Sequence, residues 1–477
     1  MTTKYLMRLN VALAVLTGLA LRIFFVLRFP ATGSGDSPFY IQLAWNWLKN
    51  GVYGAPVDGR LVALDTRMPG YPAFLAAVFA LGGNSQRAVM LAQVAVDLAT
   101  CLVIALIAAR LAPESARRRV AIAALWLAAL CPFTANYTAV VLTESLVTFL
   151  TALALLLVLE AEARSFTHGA GEKPPHLLAM SPWFLAGIVG GFGALVRPET
   201  PLLLLATGLV LIVRWWRPVD WPRLFRTGVL MAAGVLIPLA PWAARNWRAL
   251  HEAQFLSPRY ANLPSELVPL GFNAWAHTWL WRFGDVYLTL WRLDDEPIPI
   301  ESIPPRAFDS PEERDRVAAL LEPYNDTTTY TPEMDRAFAE LARERTTRHP
   351  LRTYVEIPVL RSIAMWFTPR IELLPYSGRI FPLRSEWDED REDLLATLGL
   401  GAIDFAYVAL ALAGAWIARR QPGVAFLVVF IILRTAFFAT VVETPEPRYV
   451  LECFPAIIAL AAQVFAGNAQ LSSTGSG

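Results

Sequence analysis

Lysine is nearly missing from this chain: of 41 basic residues, 38 are arginine and only Lys4, Lys49 and Lys173 are lysine. Charge as a whole is scarce, at 17% of 477 residues, against about 25% in an average soluble domain. Cysteine is limited to Cys101, Cys131 and Cys453, each in an apolar stretch without a CxxC, so neither a disulfide framework nor a thiolate metal site is coded. His251, His277 and His349 are scattered and lack zinc-ligand spacing. A net charge of +1 gives no pull toward nucleic acid. Together these shortages exclude a soluble globular enzyme, a disordered chain, a disulfide-stapled domain and a nucleic-acid-binding surface.

What fills the gap is apolar. Hydrophobic residues make up 55% of the chain, and runs near 20 residues recur, the length that crosses a bilayer. The fold class expected is an all-α, multi-pass membrane protein. Ten spans are predicted at about 7–29, 87–109, 119–136, 139–159, 183–197, 200–214, 226–243, 395–417, 422–442 and 449–467. The first run is long enough to span and no small-residue cleavage site follows it, so it reads as a helix of the bundle, not a cleaved signal. Placing the N-terminus in the cytoplasm puts fourteen Lys/Arg in the inner loops, Arg117-Arg118-Arg119 among them, against seven in the short outer segments. The arginine bias itself has two readings: codon composition, or a demand for planar forks that grip phosphate.

The expected organisation is a bundle over 1–243 that includes a first outer loop at 30–86, an extracytoplasmic domain over 244–394, and C-terminal spans over 395–477. The domain carries two soluble-helix starts. Ser310-Pro311-Glu312-Glu313 is a capping box. Thr331-Pro332-Glu333 opens a second helix with acid at its start and Arg343 to Arg348 at its end, before Pro350. Tyr354 to Thr368 is apolar but short, and reads as interfacial or packed on the bundle. No matching pair of interrupted helices recurs in two halves, which counts against a repeat-built transporter.

The first outer loop holds the sharpest constellation. Gly33-Ser34-Gly35-Asp36-Ser37-Pro38 follows span one, with Ser37 and Pro38 placed as cap and first turn of a helix that Gly51 ends. Its aromatics Phe39, Tyr40, Trp45 and Trp47 suit the headgroup zone. Asp36 is then held at the membrane surface, either as a functional carboxylate or as a helper to the cap. Asp65-Thr66-Arg67-Met68-Pro69-Gly70-Tyr71-Pro72 forms a turn, and Arg67 there either grips a phosphate or anchors the interface as a solvated arginine.

Six segments in this order, GDSPFYIQLAWNWLKNG, RMPGYPAFLA, LTESL, LVRPE, PWAARN and PRYVLECFP, run from Gly35 to Pro455. Together with the topology they resemble the GT-C superfamily of membrane glycosyltransferases. The likeness is to the Rgt-like and protein O-mannosyltransferase-like branch, which is also similar to the lipid A aminoarabinose transferase. The resemblance implies a GT-C helical bundle of about ten spans with interfacial helices and an outer-face domain. It implies inverting transfer of a sugar from a polyprenyl-phosphate donor to an acceptor hydroxyl on the extracytoplasmic side. Asp36 matches the family's acceptor-side acid, as base or positioning group, and Arg67 its donor-phosphate cation. Many relatives carry two adjacent acids; here Asp36 stands alone, so no metal ligand is assigned, although a divalent ion is compatible with the chemistry. Some relatives place an acid directly before the cation, where this chain has Thr66, with Asp65 one earlier.

Other outer-face candidates keep two readings. Glu144 is a site residue or a polar bundle contact. Arg197 binds phosphate or anchors the interface with Glu199. Arg245 orients the large loop or touches the donor. Arg448 and Tyr449 match a phosphate contact. Inside the spans, Asp97, Asp404 and Arg434 lie at similar depth, and ionisable groups there face the bundle and pair. Arg434 is therefore expected to pair with Asp404 or Asp97, or else to reach the donor phosphate. The expected partners are the lipid-linked donor, a lipid, glycan or protein acceptor, and membrane lipids, with no nucleic acid and no assigned cofactor. The Arg-rich composition suggests a bacterial inner-membrane protein. The competing readings are a transporter or flippase of lipid-linked sugar, and a noncatalytic scaffold.

Overall fold

The computed structural model describes residues 3–33, 35–167, 181–215, 220–263, 266–293 and 295–470. Ser34 of the first loop, and Lys173 and Arg217 of the inner-loop count, lie outside the described residues. Among those described, six helices are long and apolar enough to cross a membrane: Tyr5–Arg28, Gln86–Leu111, Glu144–Arg164, Trp221–Leu250, Arg391–Ile417 and Pro447–Gly467. Arg117–Leu130 and Pro132–Ala139, bent by 45°, make a seventh if taken as one span. Gly70–Gly82, Pro182–Val196, Leu202–Arg214 and Val424–Thr440 are apolar but shorter. Each of the ten expected segments falls on one of these helices, and Gly70–Gly82 is an addition.

The chain forms two compact units, Met1–Arg259 with Pro369–Leu433 and Leu451–Gly477, and Tyr260–Thr368 with Arg434–Val450. In the first unit, the bend has a covalent cause. Pro132 pushes the preceding residue out of the helical region, and Cys131 sits at φ −66°, ψ 109°. The break exposes the last carbonyls of the 117–130 helix to a medium without water. They are met by side chains. Arg22 donates to the carbonyls of Ala128, at 3.0 Å, and Ala129, and the Tyr407 hydroxyl donates to that of Leu127 at 2.6 Å. A cation at a helix C-terminus also suits the dipole. Elsewhere, the short helix 182–196 lies against 221–250 at glycines: a side chain at Gly187 or Gly234 would collide with the carbonyl of Met231 or Phe184, the small-residue packing by which membrane helices approach.

The 30–86 loop starts with the helix Ser37–Asn50, ended by left-handed Gly51. It continues into an antiparallel hairpin, Gly54–Val57 with Arg60–Ala63, in register Gly54 to Ala63. The all-helical expectation did not include this hairpin. Its two turn residues, Asp58 at φ 50° and Gly59 at φ 77°, form the doubly left-handed turn that Asp-Gly favours.

The second unit packs Leu270–His277, Pro311–Thr327 and Pro332–Arg348 around Phe272, Trp275, Trp279, Tyr324 and Phe338, all buried, while Ile357–Phe367 packs Met365 with Phe438, Ala439 and Val450. Ser310 caps its helix by accepting from the Glu313 amide at 3.2 Å. The box does not close on itself: the Glu313 side chain accepts from the Asp309 amide at 3.3 Å and pairs with Arg345 instead. Thr331 caps the next helix through the Met334 amide at 3.3 Å. That helix ends at Arg348, before Pro350 as expected. Fully buried Arg361 donates to the carbonyls of Leu280 (2.7 Å), Val442 (3.0 Å) and Glu443 (3.1 Å), which holds the 434–450 segment to 260–368.

Candidate active site

Asp36 occupies the cap position of the 37–50 helix, one residue earlier than the Ser37 cap expected, because Ser37 is already helical. Its backbone is helical too (φ −72°, ψ −6°), and its side chain makes no capping bond. The carboxylate faces Arg67 instead: Nη2 donates to Oδ1 at 2.8 Å, with the two side chains 33% (Asp36) and 21% (Arg67) exposed. The reading of Asp36 as a mere capping aid is thereby corrected. Arg67 also donates from Nη1 to the Thr66 carbonyl at 3.2 Å and lies 5.6 Å from the Phe39 ring centroid. Burial alone would lower its pKa; the charge and hydrogen bond of Asp36, together with Tyr40 and Tyr53, outweigh that and raise it.

The loop that presents Arg67 is fixed from behind. The Tyr53 hydroxyl donates to the Arg67 carbonyl at 2.8 Å. Arg245, from the 221–250 helix, donates to the carbonyls of Leu64 at 2.8 Å and Tyr53 at 2.5 Å, one on each side of the hairpin. Its guanidinium stands 5.0 Å from the Trp242 ring centroid and 5.4 Å from that of Tyr53. Arg245 thus ties down the loop that carries Arg67. A pocket of about 250 Å³ opens here, lined by Trp47, Tyr53, Pro69, Gly70, Trp242 and Arg245 among others. Asp65, half-buried nearby, is pushed up by burial.

Glu144 and Arg197 make a second cluster. Arg197 donates to Glu144 at 2.5 Å and to Thr143 Oγ1 at 2.8 Å, and its Nη1 lies 3.5 Å from Glu452 and 3.8 Å from Glu199. Glu144 opens its helix, where the positive end of the dipole favours an acid. Tyr40 stands within electrostatic reach of both clusters. Burial, and then the Asp36 charge, push its phenol up to about 12, with Arg67, Arg197 and Glu144 as further influences. Its ring meets Tyr71 edge-on at 5.3 Å, and Tyr71 is fixed by a 2.7 Å bond to Gln93.

Arg448, Tyr449 and Arg434 lie together in the second unit. Arg448 pairs with Glu446 at 2.5 Å, and the Tyr449 hydroxyl donates to the same carboxylate at 2.7 Å. Arg434, wholly buried, donates to the Tyr449 carbonyl at 2.8 Å, while Phe438 stacks on the Tyr449 ring at 4.4 Å.

The expected pairing of Arg434 with Asp97 or Asp404 is overturned. Asp97 pairs with Arg22 at 2.7 Å and Asp404 with Arg370 at 3.2 Å, all four side chains buried. Each carboxylate finds an arginine that sequence reasoning passed over. Arg22 was hidden within the first span, and Arg370 falls in a segment read as part of the outer domain. Glu452 and Tyr40 were also missed as charge partners, although both stand inside quoted motifs, LEC and PFY. Among the described residues, no group of three or more His, Cys, Asp or Glu comes together to hold a metal ion.

No protein-family model matches the chain, and no curated protein matches it at a significant level. Solved structures do. The oligosaccharyltransferase of Archaeoglobus fulgidus in its apo form is similar with a TM-score of 0.51 at 15% identity, over 99% of this chain and 52% of that one. The oligosaccharyltransferase AglB from Archaeoglobus fulgidus in complex with an inhibitory peptide and a dolichol-phosphate gives 0.50 at 15% identity, over 96% and 50%. ArnT from Cupriavidus metallidurans bound to undecaprenyl phosphate gives 0.42 at 13% identity, over 98% and 78%. The chain spans about half the length of the archaeal enzyme. What this likeness shows is the fold: the chain folds like the archaeal oligosaccharyltransferase. Motif order and three-dimensional likeness arrive at that same fold.

Proposed function

We propose that this chain is a membrane glycosyltransferase that moves a sugar from a polyprenyl-phosphate donor to an acceptor hydroxyl at the extracytoplasmic face of a bacterial inner membrane. The observation that carries the reading is the disposition of Asp36: a carboxylate freed from helix capping, partly open to solvent, and held by an arginine on a braced loop. An acceptor hydroxyl is a poor nucleophile, and a carboxylate within hydrogen-bond reach takes its proton as it attacks. The leaving polyprenyl phosphate needs its charge met more than it needs a proton, which is work for guanidinium groups. Arg67 uses one N–H on Asp36 and one on the Thr66 carbonyl, so its remaining donors can take phosphate oxygens. As they do, its charge is shared and the hold on Asp36 weakens, which favours proton uptake at the moment of transfer. Attack opposite the phosphate inverts the anomeric centre. In this reading Arg197, held by Glu144 and Glu452, supplies a second cation for the donor phosphate.

The test is Asp36→Asn in the full chain, assayed for transfer from a polyprenyl-phosphate sugar. Transfer should be lost while the purified protein keeps its helical content and melting behaviour. Substantial turnover in the variant removes Asp36 as the base. Equal lipid-linked sugar movement across vesicles by wild type and variant would favour a flippase instead.

A further inference from the structure

At the end of the bundle where the helices Thr3–Arg28 and Arg117–Leu130 begin, arginines are handled in two ways. Arg110 and Arg164 pair with Glu160, and Arg214 with Glu162. Arg8, Arg118 and Arg119 differ: among the described residues none of the three meets a carboxylate, and all three are exposed. Arg119 is fixed by a hydrogen bond to the Ala466 carbonyl.

These three arginines share one crevice. The two helices run side by side, joined where Trp126 Nε1 donates to Asn10 Oδ1 at 2.6 Å. Nearer their starts an opening of about 680 Å³ lies between them, with Leu6, Met7 and Ile122 as apolar wall and Arg8, Arg118 and Arg119 as its charge. Three like charges beside an apolar wall call for a counterion that is itself part apolar. An isolated inorganic anion meets the charge but not Leu6, Met7 and Ile122. A zwitterionic lipid meets the wall but brings its own cation against three guanidiniums.

We propose that this crevice is a binding site for an anionic phospholipid, its phosphodiester on Arg8 and Arg118 and its acyl chains along Leu6, Met7 and Ile122. The site is separate from the Asp36–Arg67 centre and does not depend on the transferase reading. Basic pockets between membrane helices hold acidic headgroups by this combination of charge and apolar surface.

The delipidated full chain is titrated with phosphatidylglycerol or phosphatidylcholine and observed by native mass spectrometry. Wild type should retain phosphatidylglycerol at concentrations where phosphatidylcholine leaves no adduct. Arg8→Gln with Arg118→Gln should weaken retention by roughly 30-fold, from the loss of two juxtamembrane cations. Arg419→Gln with Arg420→Gln, the same loss of charge elsewhere, should leave it unchanged. A photoreactive phosphatidylglycerol on wild type guards against a variant that fails to fold, and should label peptides within 3–28 and 117–130. Equal retention of both lipids, equal loss in the two double variants, competition by inorganic phosphate alone, or labelling confined to other helices would each overturn the site.

Discussion

Removing the Arg22–Asp97 pair separates two contributions that the structure places on one side chain. Arg22 is fully buried. Its five N–H groups go to Asp97 (2.8 Å), the Gly18 carbonyl (3.2 Å), the Ala129 carbonyl, Cys101 Sγ (3.3 Å) and the Ala128 carbonyl (3.0 Å). Asp97→Leu leaves a buried, unpaired guanidinium and should cost about 3–5 kcal/mol. Arg22→Met leaves Asp97 unpaired and also strips two helix-end carbonyls, so its cost should be at least as large. The double variant removes both charges, and a buried pair exchanged for apolar residues is often neutral. Here it should not be. Ala128 keeps the Cys131 amide at 3.3 Å, but Ala129 is orphaned at about 1–3 kcal/mol, so the double variant should stay roughly 1–3 kcal/mol below wild type. Equilibrium unfolding in mixed micelles measures all three. A double variant as stable as wild type would refute the reasoning, since the broken span would then owe nothing to Arg22. A single variant that unfolds normally but loses donor lipid would give Asp97 a role at the donor site.

Arg67→Ala should abolish retention of added polyprenyl phosphate in native mass spectra while wild type keeps it; equal retention would move the donor phosphate elsewhere. Asp309 tests the second unit. Burial alone would raise its pKa, but hydrogen bonding from Arg352 and the charges of Arg345, Arg352 and Arg348 hold it below its ordinary 3.8. A carboxylate lowered on folding stabilises fully above its unfolded pKa and loses that contribution as pH falls through the folded one. The 260–368 unit should therefore lose stability below about pH 4, and Asp309→Asn should flatten that acid limb in a melt followed against pH. Gly187→Val should force the 182–196 and 221–250 helices apart and lower the melting temperature more than Gly208→Val, where a side chain meets open space.

Helical content and span positions were legible because apolar run length responds to a single constraint, the thickness of the bilayer. The cap at Thr331 and the Gly51 stop were legible for a similar reason: they are settled within one turn. The hairpin was missed although Asp58-Gly59 is a strong turn pair, because its strands are only four residues each and were read against a helical background. Asp36 and Arg67 could be picked individually, but their contact spans 31 positions and nothing local encodes it. The buried pairs failed for the same reason. Equal depth along the spans does not say which helices are neighbours, and an arginine six residues from the end of the first span looks like any interfacial anchor until Asp97 is found beside it.

The three cysteines also have an experimental consequence. Cys101, Cys131 and Cys453 form no disulfide and are at most 3% exposed, so a membrane-impermeant maleimide has almost nothing to attack on the native protein. A single thiol introduced at Asp58, on the tip of the hairpin beyond the neck held by Arg245, would stand alone against that silent background. Labelling of intact cells would then report directly which side of the membrane the Asp36 loop occupies, without removing a native residue from the bundle.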